Sequence, residues 1–366
     1  MKKTPLHDLH LEQKAQMAEF AGYDMPIQYP TGVLTEHTWC REQAGIFDVS
    51  HMGQLSFDGV DVQKFLERMT PSSYDALKPN ACKYSVLTNN EGGIVDDLII
   101  TKINDTKFTA VVNGACKDKD VAWLEQHLPQ DIMIIRHEDR ALIALQGPKS
   151  ETVLKDALGI DASDLNYMNF MQSGEFGIYR LGYTGEDGFE ISVPEAEAPA
   201  VWQKLLDHSE VKPIGLAARD SLRLEMGYPL YGHDIDATTS PVEAGLNWIM
   251  GKQTNKGFIG AERVLNEIAN GTNKSRIGFE LVDRGVAREG AEIFDETGEN
   301  KIGVITSGTF SPSLKKAIGM AYVDMPHAQT NTIVNLRVRG RDMKAQLVAY
   351  PFMKASTKRT IRAKAA

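Results

Sequence analysis

The stretch from Tyr84 to Lys102, YSVLTNNEGGIVDDLIITK, most constrains what this chain can fold into. Two apolar runs, Tyr84–Leu87 and Ile94–Ile100, flank Asn89-Asn90-Glu91-Gly92-Gly93, whose residues tolerate positive φ. That pattern predicts a β-hairpin and commits the chain to an antiparallel sheet. The second strand carries two adjacent carboxylates, Asp96 and Asp97. Side chains alternate along a strand, so the two face opposite sides of the sheet. One shares a face with Val95 and Ile99, the other with Ile94, Leu98 and Ile100. A carboxylate among such neighbours costs free energy unless it is paired or kept for its chemistry. Parity alone does not select between them, and a strand-end aspartate turned to solvent or capping a turn fits the same residues.

At 366 residues the chain calls for two or three domains. A hydrophobic fraction of 42% with 24% charged residues describes a soluble globular protein with a real core. The net charge of −9 argues against nucleic acid as a partner. No window approaches the run of about 18 apolar residues that a membrane span needs. The opening MKKTPLHDLH turns polar at once and resembles neither a signal nor a transit peptide. Cys40, Cys82 and Cys116 are odd in number and far apart, and read as free thiols of a reducing cytoplasm.

Helical spacing over Leu6–Ala21 (Leu9, Leu11, Met17, Phe20) predicts a first helix, and Thr35–Ala44 a second. A strand follows over Gln54–Phe57, then a helix capped by Asp61, the central hairpin, a strand over Phe108–Val112 and a helix over Lys117–Leu128. Strands are expected over Ile132–Ile135, Arg140–Leu145, Phe176–Leu181 and Phe189–Val193. Helices are expected after Gly147-Pro148, over Glu195–Asp207 and over Gly215–Met226. This is an α+β pattern. Beyond a linker at Asn270–Ser275 come short β runs punctuated by Gly and Pro, as in a small all-β barrel or jelly roll.

No dinucleotide, P-loop, zinc-protease, C-x-x-C or nucleophile-elbow motif occurs, and no metal-ligating set is predicted. His51 follows Asp48 by three residues, as a paired base or as a structural histidine near a turn. GYTGEDGFEISVP places Glu190 in a strand on the face opposite Phe189 and Ile191. There it either meets solvent or offers a bidentate acceptor to paired N–H donors. In the helix of GLAARDSLRLEMGYPLYGHDID, Arg219 and Arg223 stand at i, i+4 and need a counter-ion from Glu190, Asp220 or a ligand carboxylate. Tyr228 and Tyr231 follow at its end. A basic run from Arg337 to Lys364, with Asp342 its one acid, is either a solvated face or a docking surface for an acidic partner.

Taken in order, TPLHDLH, AGYDMPIQY, AGIFDVSHMG, GGIVDDL, VVNGACKDKD, LQGP, GYTGEDGFEISVP, TTSPVEAGLNW and ITSGTFSPSLKKAIGMAYV resemble the T-protein family of the glycine cleavage system, tetrahydrofolate-dependent aminomethyltransferases, over essentially the whole chain. The resemblance implies a three-domain cloverleaf. Residues 1–269 would form a folate-binding α+β region of two intertwined subdomains, with boundaries near 50 and 138, and residues 276–366 a C-terminal barrel. It assigns the catalytic role to the second aspartate, Asp97. It places Tyr84, Asp97, Tyr183, Glu190, Arg219 and Tyr228 at the folate, with Met52 and Asn113 as weaker contacts. A tyrosine that some relatives carry after a Pro-Phe has its equivalent position near Thr357. The implied partner is lipoylated H-protein and the acceptor substrate tetrahydrofolate, with 5,10-methylenetetrahydrofolate and ammonia as products. A folate-dependent demethylase of a small sulfonium or methylamine compound, or a non-catalytic folate-binding protein, are the alternatives. The latter carry a K-G-C-Y-x-G-Q-type cysteine, which none of the three cysteines here reproduces.

Overall fold

The computed structural model describes residues 1–250 and 257–358, and all counts are of these residues. Strands Ala81–Thr88 and Ile94–Asn104 form the expected hairpin, in register from Ala81↔Lys102 to a bulge at Leu87/Thr88. The Asn89 side chain accepts the backbone N–H groups of Glu91 and Gly93, an Asx turn that fixes the connection. The tip is pressed into the loop at residues 236–239. Ile94 N–H donates to the Asp236 and Thr239 carbonyls, and Asn89 Nδ2 to that of Ala237. A Cβ on Gly93 would lie 1.8 Å from the Ala237 carbonyl oxygen.

Eleven strands form one continuous sheet, in the order Val211–Pro213, Ala44–Asp48, Arg140–Gln146, Gly188–Pro194, Phe176–Arg180, Asn169–Ser173, then the hairpin's two strands, Lys107–Val112, Gly53–Asp58 and Met133–Arg136. Its two halves join through a single residue pair, Asn169↔Ala81. Each half has its own core. Helices Ser150–Leu158 and Ala198–Leu206 cover the first around Ile143, Phe189, Ile191 and Trp202. Helices Val62–Met69 and Lys117–Gln126 cover the second around Phe57, Phe65, Leu98 and Phe108. The chain crosses from the first half to the second between Asp48 and Gly53 and returns between Arg136 and Arg140.

The third body is a closed barrel of Lys274–Leu281, Lys316–Asp324, Lys301–Ser311, Glu292–Phe294, Ile333–Val338 and Arg341–Val348, filled by Phe279, Ile293, Leu336 and Leu347. Closure removes the unpaired edges that an open sheet of this size would expose. Helix Leu216–Glu225 joins barrel to sheet, its Leu224 packing on Ile318 and Met320. Beyond the barrel the chain doubles back. Ser356 N–H donates to the Gly185 carbonyl, and Lys358 Nζ reaches Glu151 and the Ser163 carbonyl.

The expected first helix is only His7–Glu12. Lys14 turns left-handed (φ 57°), and Gln16–Phe20 pairs with Tyr23–Gln28 across Ala21-Gly22, both at positive φ (53° and 82°). Two such central residues make the tight turn whose twist matches a hairpin, which overrides the helical spacing of Met17 and Phe20. Helix Val33–Glu42 ends before Ala44, which opens a strand, and the linker is shortened because the barrel's first strand begins at Lys274. Asp61 stands at its helix N-cap but its side chain bonds Lys64. Short strands Asn169–Ser173, Val211–Pro213 and Glu292–Phe294 carry no sequence pattern strong enough to predict them. In the basic run, Arg337 pairs with Asp342 and stacks on Phe294, Lys358 pairs with Glu151, and Arg359, Arg362 and Lys364 lie outside the described residues.

Gly93→Ala drives a methyl group into backbone that cannot rotate away, so it lowers stability by about 1–3 kcal/mol. Urea unfolding measures this, and an unchanged midpoint means that the tip is not held against residues 236–239.

Candidate functional site

The two half-sheets, the end of helix Leu216–Glu225 and the end of the barrel enclose a cavity of about 710 Å³. Met52, Tyr84, Asp97, Asn113, Tyr183, Glu190, Arg219 and Tyr228, distant in sequence, all line it. The strand resolves what parity left open. Asp97 faces the cavity with Ile99 and is half-buried, while Asp96 is fully buried.

Cross-strand geometry supplies the donors. Val86 stands opposite Asp97, so Tyr84 is its diagonal neighbour, and Tyr84 Oη donates to Asp97 Oδ2 at 3.0 Å. Asn113 follows strand Lys107–Val112, whose Val112 pairs with Leu98. Its Nδ2 donates to Asp97 Oδ1 at 2.7 Å and to Asp96 Oδ1 at 2.9 Å, and its backbone N–H to Asp96 Oδ2 at 3.0 Å. One amide therefore ties both carboxylates together. Burial, followed by the negative charge of Asp96, lifts the Asp97 carboxyl to a pKa of about 7 against the pull of its two donors.

Glu190 follows its predicted parity, with Phe189 and Ile191 wholly buried in the core behind it. No hydrogen-bond donor among the described residues reaches its carboxylate, and burial raises its pKa while the Arg219 charge opposes. The two arginines separate. Arg223 is satisfied by Asp220, Asp234 and Ser307 at 2.8, 2.6 and 2.8 Å. The Arg219 guanidinium makes no hydrogen bond among the described residues and lies over the Tyr183 ring, 4.6 Å from its centroid. The counter-ion of the helix pair is thus chiefly Asp234, and Arg219 stays open to the cavity.

Aromatic rings complete the walls. Tyr183 stacks on Tyr228 with centroids 5.7 Å apart, and Tyr84 on Trp248 at 5.6 Å. Tyr183 Oη donates to the Pro229 carbonyl, which fixes the ring. Trp248, Arg276 and Tyr350 line the cavity without having been singled out in the sequence. Trp248 closes the TTSPVEAGLNW segment, and Tyr350 directly precedes the chain's own Pro-Phe pair, Pro351-Phe352. Thr357 is not among the lining residues. His51 does not pair with Asp48, whose oxygens take Thr4, His10 and Ser50 instead. Buried with Nδ1 unpartnered, the His51 imidazole is depressed to a pKa of about 4 and is neutral.

The chemistry on offer is specific. A carboxyl poised near neutrality, a bare carboxylate and a bare guanidinium share one aromatic-walled space. Such a space can take a flat ligand that brings N–H donors, and can exchange a proton with it.

Residues 6–254 match the family described as the GCVT N-terminal domain, and residues 274–354 that described as the glycine cleavage T-protein C-terminal barrel domain. The probable mitochondrial aminomethyltransferase of Schizosaccharomyces pombe is 42% identical, covering 96% of this chain and 93% of its own. The aminomethyltransferase of Bacteroides thetaiotaomicron is 41% identical, with 97% and 100% covered. The crystal structure of glycine cleavage system aminomethyltransferase T from Bartonella henselae superposes with a TM-score of 0.94 at 39% identity, over 98% of this chain and 99% of that one. The fold and the site together define a member of the glycine cleavage T-protein family. Within that family the protein is an enzyme, a transferase of the aminomethyltransferase type.

The Asp97 shift has a consequence for stability. Its folded-state pKa, about 7, lies above the ordinary value of 3.8, so the native state binds the extra proton between those limits. Stability from this group is therefore present at low pH and is lost as pH rises through about 7. Asp97→Asn should raise the thermal midpoint at pH 8, with the gain shrinking as pH falls toward 4. An equal effect at both ends contradicts the raised pKa.

Proposed function

We propose that the cavity receives tetrahydrofolate, that lipoylated H-protein of the glycine cleavage system presents an aminomethyl group to it on its dihydrolipoyl sulfur, and that Asp97 is the catalytic carboxylate. The observation that carries this reading is the pair of carboxylates, Asp97 held near neutrality and Glu190 without a donor, in one aromatic-walled cavity. The lining fits a reduced folate. Glu190 lacks the N–H donors that a pterin edge supplies, and the rings of Tyr84, Tyr183, Tyr228 and Trp248 offer flat apolar surface.

When bound, tetrahydrofolate would take the methylene carbon onto N5 and N10, as its bonds to sulfur and to the amine nitrogen break, giving 5,10-methylenetetrahydrofolate, the free dihydrolipoyl thiol and ammonia. The chain's own part is positional and electrostatic. Asp97, aimed by Tyr84 and Asn113, holds the proton of the attacking amine and stabilises positive charge as it develops. Its pKa near 7 lets it take up and release that proton at working pH. Glu190 orients the pterin edge, Arg219 on Tyr183 balances the negative charge of the site, and Met52 and Asn113 fill the remaining wall.

We divide the chain into a folate-binding region, residues 1–269, with crossings near 50 and 138, and a barrel domain that opens with strand Lys274–Leu281. We place the protein in the cytoplasm, where its three buried free cysteines remain reduced. No helix among the described residues is long and apolar enough to cross a membrane.

The deciding assay is ammonia release from aminomethylated H-protein with and without tetrahydrofolate. Release must depend on both. Methyl removal from a small amine or sulfonium compound, with H-protein inert, overturns the reading. Asp97→Asn should retain folate binding and lose turnover by about two or more orders of magnitude. Asp96→Asn should be milder; the reverse order would move the catalytic role to the buried neighbour. Glu190→Gln should weaken tetrahydrofolate binding by about 1–3 kcal/mol in calorimetric titration, because an acceptor becomes a donor facing an N–H. Unchanged affinity removes Glu190 from the folate.

A further inference from the structure

Behind the cavity wall three carboxyl groups converge, and only Asp97 faces the ligand space. Asp96 and Asp120 are both at 0% exposure, Asp120 in the first turn of helix Lys117–Gln126. Asp96 has donors on both oxygens from Asn113. Asp120 has none: among the described residues neither of its oxygens has a hydrogen-bond partner. Its neighbours are engaged elsewhere. Lys119 Nζ binds Tyr231 Oη at 2.9 Å and the Val95 carbonyl, and the Cys116 thiol is directed at Asp96. A helix start favours a negative charge, yet no N–H of this turn reaches the carboxyl. What Asp120 does touch is Asp96.

Two ionised carboxylates in contact and shut off from water repel strongly. One proton placed between them removes the repulsion and makes one group an O–H donor to the other. We propose that Asp120 is a neutral carboxylic acid at physiological pH whose O–H donates to Asp96, and that this shared proton keeps Asp96 anionic and holds the Asn113 amide in the orientation that aims Asp97. Asp120 is thereby a positioning residue, acting through Asp96 and Asn113 without touching the cavity. The inference rests on reading Asp97 as the reactive carboxyl. Burial and the charge of Asp96 both push the Asp120 pKa upward, to about 10, in agreement with the geometry. The titratable groups facing this cluster are Tyr84 and Asp97 from the hairpin, Cys116 and Lys119 from the helix and its cap, Tyr231 from the loop after helix Leu216–Glu225, and Tyr183 across the cavity. Lys119 is the cation among them, and its hydrogen bonds go to Tyr231 and Val95.

Infrared difference spectroscopy on the full-length protein at pH 8 tests this, because Asp97, at about 7, is then mostly ionised. The wild type should show a protonated-carboxyl C=O band that shifts in D2O, persists in Asp97→Asn and vanishes in Asp120→Asn. The same spectra titrate Asp97. Asp120→Asn keeps an N–H donor to Asp96 and should leave the Asp97 midpoint in place. Asp120→Leu removes the donor, so the proton settles on Asp96 and the midpoint falls by roughly a unit or more. Asp120→Asn that loses no band, or that lowers the midpoint as far as Asp120→Leu, overturns the neutral state of Asp120. Asp120→Leu that folds and leaves the midpoint unmoved overturns its positioning role. None of these readouts uses turnover, so a failed ammonia assay and a failed proton assignment remain separate results.

Discussion

Two adjacent aspartates on one strand of a buried sheet are the constraint on which the rest of this structure depends. Neighbouring positions on a strand face opposite ways, so no rotation of the strand brings both Asp96 and Asp97 to water. The fold meets the demand with one side chain. Asn113, placed by the next strand of the sheet, donates to both carboxylates. The hairpin register then sets Tyr84 diagonally against Asp97. The clamping of the hairpin tip by residues 236–239 keeps that register from slipping.

The molecule separates ionisable groups that hold it together from those left incomplete. Glu225 is met by His37 at 3.2 Å and takes donors from Arg41, Ser311 and Ser313, and burial notwithstanding, its pKa falls to about 2. Arg180 is locked between Asp187 and Glu151, and Arg223 between Asp234, Asp220 and Ser307. These networks join helix to barrel and barrel tail to sheet. Around the cavity the rule is broken: the Glu190 and Arg219 side chains lack hydrogen-bond partners among the described residues, and burial together with the Asp96 charge destabilises the Asp97 carboxylate. The unmet demand of Glu190 and Arg219, which both line the cavity, is what supports reading it as a ligand site.

Much of this was legible beforehand, and for physical reasons. The hairpin was visible because Asn and Gly at positive φ leave few other options, and Glu190 because a period of two is rigid. The barrel followed from short runs punctuated by Gly and Pro. Asp97 over Asp96 came from resemblance alone, since parity is symmetric until the covering helices are known. The first helix failed because Ala21-Gly22 forms a tight turn whose signal is weaker than the apolar spacing beside it. Asp120 was invisible as a functional residue: a first-turn aspartate in a helix reads as a solvated cap until the packing buries it against Asp96. Arg219 and Arg223 were likewise equivalent until Asp234 and Ser307 arrived from distant segments to claim one of them.

The central claim is that burial, together with the neighbouring buried charge of Asp96, holds Asp97 ready to exchange a proton at working pH. Carbon-13 NMR of the labelled Asp97 carboxyl, assigned against Asp97→Asn and titrated without ligand, measures this most directly. A midpoint near 7 is the predicted result. A midpoint close to the ordinary 3.8 would contradict the account.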